Sequence, residues 1–450
     1  MLSNKLMGRN FFGILNDLKR DFSTAACELG IDTSLLQRYI DGREEIPHEL
    51  IVKASQIWPV NIRDFYVFED DARSGALIMT NEQSERSSRV LDRGGRPYYE
   101  YRDTAMSRTS LFRPEWIKEL LVVDNNDPNS EELCWNNGHF LHQFTYFIGP
   151  VNFYYEHGGK RFCVQTNTGD SMYITPYIPH TFATRKNEAR ELGVILALTY
   201  GVRLMGDAQQ ELAVLGLNSA SDFLINYSDG GASGSLIRFF REQLSMPLDI
   251  LAKKVGLSLK YMQSIEDGRD IIPTVDELRS VAKVLGVSVR DLMPVVSSDP
   301  VINLSYEQAR RWNYPDESGL YTFVELASTP KLPYSKGLEV TVRPGETSSL
   351  KTLGHQYIYN IGESRVGLSW ESSYDRQVEY EYIYPRDSVY MKPCVKHRFI
   401  SDNGIGRLLV MRIGGRLSGD TQHELSLLDR SGLERVCGEL VPWYNKEGKH

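Results

Sequence analysis

Apolar residues recur along this chain with two different periods, and each period predicts a different kind of element. Between residues 248 and 265 they return every three or four positions around Gly256, which is typical of two short helices joined by a tight turn. Elsewhere aromatic and β-branched residues alternate with other residues, as in 151–155 and 380–384, between Gly, Pro and Asp turns. These segments predict the short strands of a small barrel.

The helical pattern occurs twice, at one constant spacing. Asp41-Gly42-Arg43 matches Asp267-Gly268-Arg269, and Ile46-Pro47 matches Ile272-Pro273, so the shift is 267 − 41 = 226 residues and needs no gap. The strand pattern also repeats, because 142–149 matches 355–362 in residue type and order. The chain therefore contains one design twice.

A tandem repeat of this kind predicts an α+β protein with four parts. A helix-turn-helix-like unit at 1–75 precedes a double-stranded β-helix barrel (a cupin or jelly roll) at 85–230. A second helix-turn-helix-like unit at 231–300 precedes a second, degenerate barrel at 301–450. The Gly/Ser-rich stretch 230–234 is suited to a linker between the two halves.

Composition limits the class of protein. A length of 450 residues is enough for two to four domains, and no apolar run approaches the roughly 18 residues of a membrane helix. The five cysteines are scattered without a CxxC pair, which indicates neither a disulfide framework nor a zinc ribbon. No signal-peptide pattern follows Met1. We expect a cytosolic protein that does not enter a membrane.

Helix-turn-helix units most often bind DNA, but the charge of this chain argues against that function. DNA binding draws on cations that replace counterions, whereas this chain carries a formal net charge of −8. The helix in the recognition position, 32–39, offers one Arg against one Asp. We therefore expect no nucleic-acid partner, and we interpret the helices as structural units packed on the barrels.

Three residues of the first barrel are candidates for a metal site. His139, Gln143 and His180 supply two imidazoles and a third ligand, a set that leaves coordination positions open on Fe(II), although imidazole also suits zinc. A bend in a strand would turn both His139 and Gln143 inward. His142 competes with His139 as a ligand, and barrel-lining polar residues without a metal are the remaining alternative.

The second copy provides an internal comparison for these candidates. His142 has a counterpart in His355, whereas His139 falls opposite Thr352, which favours His139 as the ligand. Other polar residues are lost at the same time: Lys19 falls opposite Ser245, and Asn136 opposite Ser349. Loss of a cation, an amide and a metal ligand together predicts that the first half binds one anionic substrate on one metal.

Several motifs carry a resemblance to a known family. Asn136 and His139 are followed downstream by Pro179-His180, Arg93 is followed by the tyrosine group 98–101, and Lys19 lies eleven residues before Gly30. With these motifs, over essentially its whole length, the chain resembles the phosphonate-processing cupin iron oxygenases. The resemblance implies Fe(II) as cofactor, bound by His139, Gln143 and His180.

The resemblance also implies the substrate contacts. Lys19, Arg93, Tyr101 and Asn136, together with His180, are expected to bind a phosphonate, and Lys19 and Tyr101 are expected to be catalytic. Arg and Lys would neutralise the phosphonate, and Asn and Tyr would donate hydrogen bonds to its oxygens. Tyr98, Tyr99 and Ile174 are secondary candidates.

The third ligand distinguishes members of this family. Where one member has a carboxylate ligand six residues before the last histidine, this chain has Ile174, and where another has a glutamate this chain has Gln143. A neutral amide is the pattern of the methylphosphonate-forming member, and it leaves the iron one unit more positive than a carboxylate would.

The resemblance thus implies an Fe(II)- and O2-dependent enzyme that converts 2-hydroxyethylphosphonate to methylphosphonate, with C–C cleavage and release of CO2 or bicarbonate. One alternative is a dioxygenase that gives hydroxymethylphosphonate and formate from the same substrate. The other is a cupin-type helix-turn-helix transcription regulator. The family resemblance further implies a homo-oligomer.

Overall fold

The computed structural model describes residues 2–442 except 111, 188–190, 202, 203, 205, 226–230, 269, 270 and 295–298. The chain begins with a bundle that we call the first helical unit: α1 (Leu2–Asp17), α2 (Phe22–Leu29), α3 (Thr33–Ile40), α4 (His48–Ile57) and a 3-10 turn (Ile62–Phe65). Local sequence sets its turns, since Asp21 caps α2 and Asp32 caps α3 through their side chains. Gly30 ends α2 in the left-handed conformation that glycine adopts without strain.

A set of strands that we call the first β-unit follows β1 (Ala76–Met79) and α5 (Asn81–Arg86). Its strands are β2 (Arg89–Arg93), β3 (Arg96–Asp103), β4 (Phe112–Glu119), β5 (Val122–Val123), β6 (His142–Ile148), β7 (Val151–His157), β8 (Lys160–Thr166), β9 (Ser171–Ile174), β10 (His180–Arg185) and β11 (Val194–Tyr200). The strand predicted at 151–155 is confirmed as part of β7.

The second half repeats this order. After α6 (Asp207–Leu215), α7 (Leu217–Ala220) and a 3-10 turn (Ser221–Phe223) comes the second helical unit, with α8 (Ala232–Gln243), α9 (Leu248–Val255), α10 (Leu259–Glu266), α11 (Val275–Leu285) and a 3-10 turn (Val289–Leu292). The second β-unit comprises β12 (Val301–Leu304), β13 (Arg311–Tyr314), β14 (Tyr321–Glu325), β15 (Lys336–Val342), β16 (His355–Asn360), β17 (Val366–Glu371), β18 (Val378–Ile383), β19 (Ser388–Met391), β20 (His397–Ile400) and β21 (Gly406–Ile413). Two helices, α12 (Asp420–Leu427) and α13 (Arg430–Gly438), follow it.

Each β-unit consists of a large and a small sheet that enclose their own apolar core. In the described residues the first pair has strand orders β12-β9-β6-β11-β4-β3-β2 and β5-β10-β7-β8. The second pair has orders β1-β19-β16-β21-β15-β14-β13 and β18-β17-β20. The two large sheets pack on each other through buried aromatic and aliphatic side chains, among them Phe144, Tyr146, Tyr357 and Met411. Burial of these side chains stabilises the joint between the halves.

The two halves exchange a strand. The first strand of the chain, β1, pairs antiparallel with β19 of the second β-unit, and β12 pairs antiparallel with β9 of the first. The segment predicted to begin the second barrel at 301 therefore extends a sheet of the first half. A sequence repeat shows which segments are alike but not which copy each strand joins, because pairing across such distances is not encoded locally.

The linker predicted at 230–234 is wrong for its described part. Ala232, Ser233 and Gly234 are buried in the first turn of α8, and Gly230 lies outside the described residues, as does Arg269 of the repeat. A Cβ at Gly234 would lie 1.9 Å from the Ile265 carbonyl oxygen, so glycine lets two helix backbones approach closely here. A Cβ at Gly8 of α1, 226 residues earlier, would likewise lie 2.5 Å from the Tyr39 carbonyl oxygen.

The mixed α+β class predicted from the sequence is confirmed, with mainly antiparallel strands and short helices. The strand predicted at 380–384 is confirmed up to Ile383. No helix in the described part of the chain is long and apolar enough to cross a membrane.

Candidate metal and substrate site

A cavity of about 160 Å³ lies between the two sheets of the first β-unit. Six principal candidates from the sequence line it, with the secondary candidate Tyr99: Arg93, Tyr101, Asn136, His139, Gln143 and His180. They come from β2, β3, the loop before β6, β6 itself and β10. β6 and β10 belong to different sheets, which face each other across the cavity.

A tight turn positions His139. Gly138 has φ +73°, and a Cβ there would lie 2.6 Å from the Tyr177 Cα, so a side chain has neither the conformation nor the space. Across this contact the Tyr177 N–H donates to the His139 carbonyl oxygen at 2.9 Å. His139 thus precedes β6 in a fixed loop, where a bend rather than a strand turns its ring inward.

Backbone hydrogen bonds fix the orientation of both histidine rings. The Nδ1 atoms of His139 and His180 lie 2.8 Å from the carbonyl oxygens of Leu141 and Ile178, respectively. A carbonyl only accepts, so each Nδ1 carries the proton and each Nε2 presents a lone pair. Burial lowers the pKa of His180 to about 4, which keeps this ring neutral near pH 7. A neutral imidazole with a free Nε2 lone pair is the form that binds a metal.

Gln143 directs its oxygen at the same point. Its Nε2 donates to the buried Thr145 hydroxyl at 2.9 Å, which leaves Oε1 2.8 Å from His139 Nε2. Two acceptors at this separation repel each other unless a cation or a proton lies between them. The rings of His139 and His180 stand 5.3 Å apart and nearly perpendicular, at 85°. This donor set suits a divalent cation held by two imidazoles and one amide.

Gln143 is the candidate third ligand beside the two histidines. Within the described residues, no group of three or more His, Cys, Asp or Glu side chains is placed to hold a metal ion. Ile174 occupies the position directly opposite Gln143 on β9, is fully buried and offers no ligand atom. The two positions at which a third ligand was considered are therefore cross-strand neighbours, and in this chain only Gln143 of the two carries an oxygen.

Asn136 is held rigidly beside the last histidine. Its Oδ1 accepts from the backbone N–H groups of Gly138 and His180, each at 2.9 Å. Its Nδ2 lies 3.1 Å from His180 Nε2 and faces the cavity. Because the oxygen is fixed by two donors, the amide presents N–H groups to whatever binds next to the histidines.

Arg93 and two tyrosines also line the cavity. The Arg93 guanidinium lies 4.7 Å from the centre of the Tyr99 ring and donates to the Cys134 carbonyl oxygen at 3.3 Å. Tyr101 packs edge-on against Tyr99, and burial raises the pKa of Tyr101 to about 12, so its hydroxyl keeps its proton at neutral pH. A guanidinium and a neutral phenol suit an oxyanion bound beside them.

Three predicted residues, Lys19, Tyr98 and Ile174, do not line the cavity of the described chain. Lys19 is exposed at the end of α1, where it donates to the Asp17 carbonyl oxygen at 3.1 Å, and it does not line the cavity of the described chain. Tyr98 is fully buried, and its hydroxyl lies 2.9 Å from the Thr181 hydroxyl. It does not line the cavity either, whereas its neighbour Tyr99 does.

His142, the competing ligand, points away from the cavity. Its Nδ1 lies 2.5 Å from the Tyr173 hydroxyl, and its ring stacks on Tyr173 and Tyr200 at the joint between the large sheets. Its counterpart His355 makes the same contact with Tyr390 at 2.8 Å. Both halves thus keep this histidine for packing, which explains its survival in the second copy.

The second β-unit keeps counterparts of two of the three candidate ligands, His397 and Gln356. His397 has its Nδ1 3.0 Å from the Val395 carbonyl oxygen, as His180 has with Ile178, and Gln356 is fully buried. The strand partner of Gln143 is Thr199, but the partner of Gln356 is Arg412. A guanidinium opposes binding of a metal cation there.

Sequence reasoning missed two residues of the cavity region. Thr145 orients the Gln143 amide, and Glu119 lines the cavity with a fully buried carboxyl group. Strand alternation contained the signal for Glu119, because Glu115, Ile117 and Glu119 share one face of β4 and Ile117 indicates that this face is internal. No sequence pattern distinguishes Thr145 from other buried threonines.

No family model matches the chain. A curated relative, the methylphosphonate synthase of Nitrosopumilus maritimus (strain SCM1), is 47% identical over 448 residues, which cover 98% of this chain and 96% of the relative. The chain belongs to the family of phosphonate-processing iron oxygenases. The match extends through the second half of this iron oxygenase. The relative therefore shares the second half as well as the half that contains the candidate ligands.

Solved structures agree with this assignment. The iron oxygenase superimposes on Streptomyces albus hydroxyethylphosphonate dioxygenase with its substrate 2-hydroxyethylphosphonate and Fe(II) bound, with a TM-score of 0.92 and 36% identity, covering 98% of this chain and 99% of that one. A variant of hydroxyethylphosphonate dioxygenase at 18% identity shares the fold, with a TM-score of 0.76 over 96% of this chain and 99% of that one.

Proposed function

We propose that this protein converts 2-hydroxyethylphosphonate and O2 to methylphosphonate and CO2 or bicarbonate, with cleavage of the C–C bond. The reaction balances without another reductant, since one substrate molecule and one O2 yield one methylphosphonate, one CO2 and one water. The 47% identical methylphosphonate synthase favours this activity over the dioxygenase alternative and over a transcription regulator. The cofactor is Fe(II), as in the dioxygenase at 36% identity.

One observation in the structure supports the ligand assignment most directly. His139 Nε2 and Gln143 Oε1, both acceptors, lie 2.8 Å apart, and Thr145 holds the amide in that orientation. His139, Gln143 and His180 would hold the iron, which when bound supplies the reaction with dioxygen. In the same proposal, Arg93, Tyr101 and Asn136 bind the phosphonate and orient it beside the histidines.

Lys19 stays in the proposal as a catalytic and substrate-binding residue. Because it does not line the cavity of its own described chain, we propose that it acts in the site of another copy of the chain. It is exposed on the first helical unit, where another copy of the chain has access to it. We also keep the homo-oligomer, the cytosolic location and the description of the units as helix-turn-helix and cupin domains as proposals.

Product analysis tests the proposed function. The protein is reconstituted with Fe(II) without oxygen, given 2-hydroxyethylphosphonate and then O2, and the products are followed by phosphorus NMR. Methylphosphonate is the expected main product. Hydroxymethylphosphonate with formate would assign the dioxygenase activity instead, and absence of turnover combined with sequence-specific DNA binding would favour the regulator.

Thr145 provides a separate prediction about the iron site. Thr145→Val removes the acceptor that orients the Gln143 amide, and we expect Fe(II) affinity to fall by about 10- to 100-fold, the usual effect of losing a partner behind a ligand. Thr145→Ser keeps the hydroxyl and is expected to bind iron like the wild type. Affinity is measured by anaerobic equilibrium dialysis. Equal affinities for the Val and Ser variants would contradict the role given to Thr145.

A further inference from the structure

Glu119 is a fully buried acidic residue whose carboxyl oxygens have no partner among the described residues. It lines the cavity beside Tyr99, its partner across the β3–β4 ladder, and it has no exposed surface. Neither carboxyl oxygen has a hydrogen-bond partner among the described residues. Burying a carboxylate without hydrogen-bond donors or a paired cation costs desolvation free energy. The carboxyl group is therefore either protonated or satisfied by a bound ligand.

Its surroundings favour the neutral form of the carboxyl group. Burial raises the pKa of Glu119 well above its usual range, while the positive charge of Arg93 acts in the opposite direction. Arg93 donates no hydrogen bond to Glu119 in the described chain, since neither carboxyl oxygen of Glu119 has a partner there. A neutral carboxyl group is a strong hydrogen-bond donor as well as an acceptor.

The second β-unit shows that the fold itself does not need this acid. Tyr99 lies opposite Glu119, and the matching Tyr321 lies opposite Val342. The match is secure because each tyrosine hydroxyl accepts a backbone N–H at the same place in its small sheet. Valine fills the position in the half whose metal ligands are incomplete, so the acid accompanies the site and not the scaffold.

A second acidic residue on the same strand is also replaced by an apolar residue in the second β-unit. Glu115 also lines the cavity, and the corresponding residue two positions before Val340 is Leu338. Glu115 differs from Glu119 in having Arg89 within 3.8 Å and a partly exposed side chain. Of the two, Glu119 therefore needs a ligand to satisfy its polar atoms.

We propose that Glu119 is a substrate-binding residue that donates a hydrogen bond, as a neutral carboxylic acid, to a phosphonate oxygen held by Arg93. The proposal rests on the proposed function, since it takes the phosphonate as the anion of this cavity. An O–H donor beside a guanidinium recognises an oxyanion without adding a second fixed positive charge. It also gives the acid the partner that it lacks in the protein.

Two substitutions test the proposal. Glu119→Gln keeps a neutral donor of the same shape, whereas Glu119→Val copies the second β-unit. Binding of 2-hydroxyethylphosphonate to the Fe(II)-loaded protein is measured by anaerobic calorimetry, and thermal unfolding is measured on the same samples. We expect the Gln variant to bind within about 3-fold of the wild type and the Val variant at least about 10-fold more weakly, in line with loss of one hydrogen bond to a charged group.

Thermal unfolding separates binding from structure. Removing a buried polar group without partners is expected to leave the melting temperature of Glu119→Val equal to or above that of the wild type, although binding is lost. A lower melting temperature, unchanged binding by the Val variant, or tighter binding by the Gln variant would each overturn the proposal. The last result would mean that Glu119 is ionised and repels the phosphonate. A wild type that binds no 2-hydroxyethylphosphonate would instead overturn the proposed function.

Discussion

His180→Ala is expected to abolish Fe(II) binding, whereas His397→Ala is expected to leave it unchanged. The two histidines occupy the same position in the two β-units and have the same carbonyl support at Nδ1, so the substitutions are closely matched in fold context. They differ in their neighbours, because His180 shares its cavity with His139 and Gln143, whereas Arg412 lies on the strand beside Gln356.

The expected loss for His180→Ala is at least about 100-fold in Fe(II) affinity, since losing a ligand should exceed the effect of losing its supporting partner. Bound iron is determined by anaerobic dialysis against Fe(II), with one ion per chain expected in the wild type and in His397→Ala. Two ions per wild-type chain, or a loss of iron in His397→Ala, would show that the second β-unit also binds metal and would contradict the assignment.

Arg93→Met is expected to lower kcat/KM for 2-hydroxyethylphosphonate by about 100- to 1,000-fold, the usual range for removing one donor to a developing or bound oxyanion. Of the residues that line the cavity in the described chain, Arg93 is the fixed cation. Arg93→Lys restores the charge without the planar fork and is expected to recover only part of the loss.

Arg96→Met is the matched control for this prediction. Arg96 lies on the same hairpin, but it donates to the Glu132 carbonyl oxygen at 2.7 Å and does not line the cavity. Initial rates of oxygen consumption at several substrate concentrations give kcat/KM for all three variants. An equal loss in Arg96→Met and Arg93→Met would indicate a general effect on the hairpin and not a contact with the phosphonate.

Much of this architecture could be predicted from the sequence because the repeat compares the chain with itself. The periods of apolar residues predict the α+β class. Thr352 opposite His139 predicts that the metal site lies in the first half. The structure adds the orientation of each ring: His142 and His139 are three residues apart, yet one faces the sheet–sheet joint and the other the cavity. Spacing does not decide this, since His139 lies in the loop that follows the turn at Gly138, whereas His142 is the first residue of β6.

Other features could not be predicted, for identifiable physical reasons. The exchange of β1 and β12 depends on pairing between strands far apart in the chain, which no local pattern encodes. The linker expected at 230–234 failed because glycine serves close helix packing as well as flexibility, and Gly234 has the first role. Glu119 was overlooked because an acid in a strand usually marks the exposed face.

The strand exchange also bears on why a half with an incomplete set of ligands persists. Val301 of β12 lies opposite Ile174, which in turn lies opposite Gln143, so a strand from the second half backs the strand that carries the proposed amide ligand. Cutting the chain between its halves would leave β9 and β19 as bare sheet edges, open to pairing with other chains. Each half therefore depends on a strand of the other to complete its large sheet. Substitutions can remove ligand residues from the second copy, but deletion of that copy would also remove a strand from the first.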